Sequence, residues 1–414
     1  MMLSRWRILI DRALPAPGPL RRLAWGTMIS AVGNGAWYTS WALFLTRSVH
    51  LTPVQVGLGM TVAGACGVVC TPALGWLGDR VGARELFAVQ LAVQGGAAVG
   101  YTAVHGMVLF MLVTGVAQVA GSGSGGPRNA LVLGLSSERD RLEILGRLRA
   151  ISHTGWALGA VIGGAVITAN ARPAYLALLA LNGASYVVYA ALVATVPRVH
   201  GPALGGARTG IRVLADRPYM SLAGLIGVLA LCWAMLSSGL PLWVALHTHA
   251  PRAISAIVVF ISCVGIAALQ VPVSRAITTP ARAARAAVAS GGALAASCLL
   301  LALTAGQGAG PAVTLIVLAA GLHLTGELLF VAASWGLSVP LMPADAPSEY
   351  QGAFATGEAL ALMAAPVLMT TLIAGWGQPG WVVLAAIFLL PATAAVPATR
   401  WALRTRPPAR VSSA

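Results

Sequence analysis

Long apolar runs separated by short, arginine-bearing breaks set the pattern of this chain. The runs fall at about 23–46, 54–75, 86–104, 107–127, 146–169, 174–196, 219–246, 254–274, 287–305, 312–339, 349–375 and 381–399. Each is close to the about 20 residues that a helix needs to cross a hydrocarbon core about 30 Å thick. In hydrocarbon every backbone N–H and C=O needs a partner inside the protein, so the pattern predicts twelve membrane-spanning helices and an all-α fold. The longest polar interruption away from the ends, 197–218, leaves 196 residues on either side. Residues 1–22 then form a basic lead with a short surface helix at 3–13, 23–196 and 219–399 two six-helix halves joined by the 197–218 linker, and 400–414 a tail. Local echoes suggest that the halves arose by duplication: E-I-L-G at 143–146 returns as E-Y-Q-G at 349–352, an offset of 206.

Composition agrees with this pattern. Of 414 residues 58% are hydrophobic and 9% charged, where soluble domains carry about 25% charged residues. The net charge of +15 would suggest a nucleic-acid ligand in a soluble protein, but here the charges sit in the breaks. All 26 basic residues are Arg, a bias that fits a GC-rich bacterial genome. With an even number of spans both termini share one side, and that side collects 23 Arg against Arg47, Arg172 and Arg252 on the other. By the positive-inside rule the termini are cytoplasmic and the location is a bacterial plasma membrane. The span at 23–46 is too long for the apolar segment of a signal peptide. Cys66, Cys70, Cys232, Cys263 and Cys298 all fall inside spans without metal-ligand spacing, as small buried hydrophobes would.

The break at 75–86 reads G-W-L-G-D-R-V-G-A-R-E-L. Gly75 and Gly78 allow close backbone packing, Gly82 can turn with a positive φ, and Asp79, Arg80 and Arg84 place both signs of charge at the membrane surface. These residues resemble the G-x-L-x-D-R-x-G-R-[RK] signature of major facilitator superfamily transporters, with Ala83 where a basic residue usually stands. The resemblance implies a major facilitator fold of two pseudo-symmetric halves. It also implies that Asp79 caps the start of the eleventh helix, in a loop that governs switching between conformations.

The fifth span carries Gly146, Gly155, Gly159, Gly163 and Gly164. Spacing of four puts Gly155, Gly159 and Gly163 on one face, which lets a neighbouring helix approach closely. The run is similar to the G-x8-G-x3-G-P-x2-G-G pattern of proton-coupled drug exporters of the same superfamily, with Ala160 in place of Pro. P-R-N-A-L at 127–131 and the charged 138–141 that follow resemble the corresponding connection of macrolide and siderophore exporters. The cationic residue that the exporters carry in the fourth helix has no counterpart, since Ala117 stands there and Arg128 lies too near the surface.

Polar groups within spans are costly and mark a cavity or a partner. Asn34, Trp37, Tyr38 and Trp41 share one face of the first helix, and Asn34, Trp37 and Tyr38 are expected to line the cavity, with a bond to a neighbouring helix as the alternative for Asn34 and an interfacial belt as that for the aromatics, Trp41 above all. His323 and Glu327, four residues apart, share a face near the middle of the tenth helix, which lines the central cavity in the family. A carboxyl at that depth can bind and release the coupling proton, or stay protonated and structural. Glu358, ten residues beyond an expected N-cap at Ser348 with Gln351 in the capping-box position, is open to three roles: a second proton site, a partner of the 75–86 loop, or a buried group outside transport.

No phosphate-binding glycine loop, H-E-x-x-H or Cys/His cluster is present, so neither an enzyme nor a cofactor is expected and transport would run on a gradient. The expectation is proton-coupled efflux of small amphipathic or hydrophobic molecules. Uptake or facilitated diffusion of a metabolite is one alternative, and a non-transporting receptor or assembly partner of the same fold is another. The expected partners are the lipid bilayer, a small-molecule substrate and protons, with no nucleic acid, on a monomeric chain.

Overall fold

The computed structural model describes residues 14–169, 171–199, 212–251, 253–343 and 345–405. The surface helix expected at 3–13 lies outside them, as do most of the linker and the last residues of the tail. Twelve long helices follow in order, with no strand among the described residues: α1 Pro19–Leu43, α2 Pro53–Val81, α3 Ala83–Gly100, α4 Met107–Leu135, α5 Arg141–Ala169, α6 Arg172–Ala194, α7 Arg217–His247, α8 Ala253–Ala276, α9 Pro280–Ala302, α10 Ala309–Leu341, α11 Pro347–Met369 and α12 Gln378–Arg404. Eleven of them are long and apolar enough to cross a membrane. The twelfth, α1, is as long but more polar, and its polar groups are satisfied locally. The Ser40 hydroxyl donates to the Ala36 carbonyl (3.0 Å), that of Thr39 to Gly35 (2.8 Å), and Thr27 bonds Tyr189 (3.0 Å).

The helices outrun the apolar stretches because their charged ends continue as helix into the surface. Thus α5 begins at Arg141 rather than near residue 146, and α2 and α3 are separated by Gly82 alone. Gly82 has φ 111°, a backbone that a side chain strongly disfavours. Thr52 and Gln55 close a capping box on α2, and the Asp216 carboxylate accepts from the Tyr219 N–H at the start of α7. Three helices are distorted: α1 runs on as a π turn at Phe44–Ser48, α7 carries one at Met235–Gly239, and α11 runs on as one at Thr370–Trp376.

The largest apolar core draws only on residues from Val213 to Ala402. Two smaller cores come from the first six helices, one of them joined by Val339 of α10. The two sets of six helices meet where α11 packs on α2 and α4 and where α5 packs on α8 and α10. These contacts gather at the end that holds the Gly82 hairpin, hereafter the loop end. The cysteines only partly match the expectation of buried hydrophobes. Cys232 and Cys298 are buried, Cys70 and Cys263 are half-buried, and Cys66 is exposed.

Candidate functional site

At the loop end the carboxylate of Asp79 receives two backbone N–H groups from the first turn of α11, Ser348 to Oδ1 (2.9 Å) and Glu349 to Oδ2 (2.8 Å). A helix start has unsatisfied N–H groups and a partial positive charge, both of which favour a carboxylate. The cap therefore comes from another helix, and the expected N-cap at Ser348 is not formed. α11 begins at Pro347 after Ala346, without a side-chain cap of its own, and Gln351 turns to Asn129 of α4 (3.4 Å). Gly75 is what allows the approach, since a Cβ there would lie 2.8 Å from the Ser348 carbonyl oxygen. Gly78 faces Pro127 and Ser348 in the same seam. Arg84 pairs with Glu85 (2.7 Å) and donates to the Val196 carbonyl (2.9 Å), and the Arg80 guanidinium lies 4.1 Å above the Trp76 ring.

The glycine stripe of α5 packs on α1. A Cβ on Gly155 would meet Ala31 at 2.7 Å, on Gly159 the Val32 carbonyl at 2.2 Å, and on Gly163 the Ala36 carbonyl at 2.6 Å. Gly164 faces open space, and Gly146 faces Ser274 of α8 across the two halves.

Deeper in, the groups of highest chemical potential converge on Glu327. It lies fourteen residues from the loop end of α10, about 21 Å along the axis, and is 3% exposed. Arg149 of α5, whose side chain is 14% exposed, donates to Oε1 at 2.6 Å. The Trp233 indole N–H of α7 donates to the same oxygen at 2.9 Å, and the Ser262 hydroxyl of α8 stands 3.5 Å from Oε2. The Arg149 guanidinium also lies 5.6 Å above the Trp233 ring. His323, one turn away, has Nε2 2.9 Å from the Cys232 carbonyl oxygen and Nδ1 4.0 Å from Glu327 Oε2. A carbonyl can only accept, which assigns a hydrogen to Nε2 and leaves Nδ1 as the ring nitrogen that faces Glu327. This arrangement can hold a carboxylate as half of an ion pair, and it offers an imidazole nitrogen beside that carboxylate when the pair opens.

Glu358 of α11 lies within electrostatic reach of Arg149 but makes no ion pair with it, and Ser334 of α10 donates to it at 3.3 Å. It makes no contact with the 75–86 loop, so of its three expected roles the loop partner is the one the geometry does not meet. Of the two roles expected of Asn34, the bond to a neighbouring helix is present. Its amide oxygen accepts from the Tyr186 hydroxyl at 2.7 Å, which ties α1 to α6, because a half-buried amide is stabilised by a partner. Trp37 packs on Tyr101 (5.1 Å) and Phe44 (5.8 Å) within the first six helices. Tyr38 alone of the three stays exposed, edge-on to Trp156 (5.2 Å).

The family model of the Major Facilitator Superfamily matches residues 23–366. The chain belongs to the major facilitator superfamily. Three solved structures of similar architecture each share 93% of this chain. A bacterial homologue of the iron transporter ferroportin in an outward-facing state has 16% identity, a TM-score of 0.75 and 99% of its own length covered. The human organic anion transporter MFSD10 has 15%, 0.69 and 99%. The E. coli fucose:proton symporter FucP has 15%, 0.66 and 98%. At such identities the likeness establishes the major facilitator fold. No curated protein matches the sequence.

The buried charge that sequence reasoning does not single out is Arg149. Arg149 stands at the edge of the apolar run at 146–169, and its charge groups it with the arginines on the side of the termini. In the structure it is eight residues inside α5, about 12 Å from the helix start. The available signal was periodicity. Arg149, His153 and Trp156 stand at i, i+4 and i+7, on one face.

Proposed function

We propose that this multi-pass membrane protein is a proton-coupled exporter of small amphipathic molecules, with the Arg149–Glu327 pair as its coupling switch. The observation that carries the reading is a buried ion pair whose cation belongs to one half of a major facilitator fold and whose carboxylate belongs to the other. A proton on Glu327 cancels the charge that Arg149 holds. The halves then lose their deepest cross-link and can part at the loop end. Releasing the proton on the far side restores the carboxylate, and the pair draws the halves together again. His323 Nδ1 is the nearest group that can take or deliver that proton. Asp79 at the start of α11 holds the loop end closed in the meantime, which makes the 75–86 loop the conformational latch. Alternating access by rocking of two halves converts this cycle into transport.

The Arg distribution puts the loop end in the cytoplasm, so protons would enter Glu327 from outside and substrate would leave the same way. Glu358, with no cation bonded to it, is the second acid available to a proton or to a basic group of the substrate. The test is efflux of a fluorescent amphipathic dye from proteoliposomes with and without an imposed pH gradient. The reading requires dye to move against its own gradient when the pH gradient is present and to stop when it is collapsed. Dye movement that only follows its own gradient would mark facilitated diffusion, and no movement of any tested solute would favour the receptor or assembly role.

A further inference from the structure

Away from the central pair, α2 and α3 diverge from the Gly82 hairpin and leave a cavity of about 840 Å³ floored by α4. Its walls are apolar, built from Val62, Leu77, Val89, Val93, Leu112 and Val116 among others. Five of these six are exposed on the face that looks away from the protein cores, Leu77 being the one that is not. What reaches the cavity therefore comes from the bilayer and not from water.

The polar exception in this wall is Gln90 of α3. It is 4% exposed, and among the described residues neither its Oε1 nor its Nε2 has a hydrogen-bond partner. The amide lies toward α4, where a Cβ on Gly123 would meet Nε2 at 2.9 Å. A buried amide without partners is costly, and native proteins rarely keep one. A single water is a poor remedy, because it needs two to four polar neighbours and this wall offers one side chain. An apolar molecule that brings its own hydrogen-bonding group meets the requirement.

Depth and charge select the molecule. Gln90 stands seven residues into α3, about 10 Å along the axis from the hairpin. That is near the inner edge of a headgroup layer, where lipid esters sit. One turn beyond Leu77, on the same face of α2, is the exposed Arg80 on its Trp76 ring, a cation at the level of lipid phosphates. We propose that this groove is a binding site for an anionic phospholipid, with an acyl chain against α4, an ester carbonyl on Gln90 Nε2 and the phosphate at Arg80. The lipid braces α2, the helix that carries Asp79, and so favours the closed latch. Lipid binding stands independently of what the protein transports, while its effect on the latch rests on the proposed function.

The test uses the full-length protein in bilayers containing a phosphatidylglycerol or a phosphatidylcholine with a diazirine at the end of one acyl chain. Crosslinked peptides are mapped by mass spectrometry. Wild type should concentrate crosslinks in α2, α3 and α4, several-fold more with phosphatidylglycerol. Val116→Trp, which fills the groove, should abolish that enrichment, and Gln90→Leu and Arg80→Gln should each reduce it several-fold. In lipid-free detergent Gln90→Leu should unfold at the same temperature as wild type or higher, since it removes an unpartnered amide, and should no longer gain stability from added phosphatidylglycerol. Crosslinks spread evenly around the bundle, or an enrichment unchanged by Val116→Trp, would overturn the site. So would loss of stability in Gln90→Leu without lipid, which would mean that the amide already has a protein partner. Competition by a transported dye but not by phosphatidylglycerol would assign the groove to substrate and end the lipid proposal.

Discussion

Two ion pairs cross from α5 to the other half, six residues apart and of opposite polarity, and they are built for different tasks. Near the start of α5, Glu143 is bonded by Arg275 of α8 and by Arg147 of its own helix (2.6 Å). The Arg275 side chain is 55% exposed, so water and salt compete with the contact. Farther in, Arg149 bonds Glu327 with 14% and 3% of their side chains exposed. An exposed pair is worth about 0–1 kcal/mol, whereas removing one partner of a buried pair costs roughly 3–5 kcal/mol because the other charge is stranded. The proposed switch is therefore the inner pair, where stranding a buried charge changes the energy of closure far more than it would at the outer one.

That contrast can be broken most severely at Arg149. Arg149→Leu should lower the thermal unfolding midpoint of the purified protein by the equivalent of roughly 3–5 kcal/mol and abolish pH-driven transport. Arg149→Leu combined with Glu327→Leu should recover most of the stability and none of the coupling. Recovery of both would make the pair structural. Next comes the α1–α5 seam, which separates packing from charge. Gly159→Ala forces a methyl against the Val32 carbonyl and should cost about 1–3 kcal/mol of stability, while Gly164→Ala, facing open space, should be silent in the same melt.

Asp79→Asn follows. It keeps the shape of the α11 cap but loses the charge, worth roughly 1–2 kcal/mol at a partly buried helix start. The expected result is transport reduced several-fold at equal protein level, with greater labelling of loop-end cysteines as the closed state loses population. The smallest effect belongs to the outer pair. Arg275→Gln should leave the unfolding midpoint almost unchanged, and raising the salt concentration should erase even that small difference. A large, salt-independent loss would erase the distinction between the two pairs.

Much of this was legible in the residues. Twelve apolar runs locate twelve helices, because hydrocarbon leaves the backbone no other way to satisfy itself. The loop signature led to Asp79 and the first turn of α11, and the spacing of His323 and Glu327 placed both on one face. The failures share a physical cause. Hydropathy marks where apolar character begins, not where a helix begins, so Arg149 read as a surface charge while two turns inside α5. Side-chain direction was equally hidden: Asn34 bonds Tyr186 because a partner on α6 was in reach, and no pattern within α1 could show it. Ser348 looked like a cap because the residue that does the capping is 269 positions away.

The central claim is that Glu327 carries the coupling proton and that its protonation breaks the pair with Arg149. It is met most directly by Glu327→Gln in proteoliposomes, with dye accumulation driven by a pH gradient and dye exchange at equal pH measured on the same preparation. Gln keeps the shape and can still accept from Trp233 but cannot titrate. Accumulation should vanish while equal-pH exchange survives, and Glu358→Gln should keep a measurable share of accumulation. If Glu327→Gln still concentrates dye against its gradient in response to pH, the coupling proton travels elsewhere and the account fails.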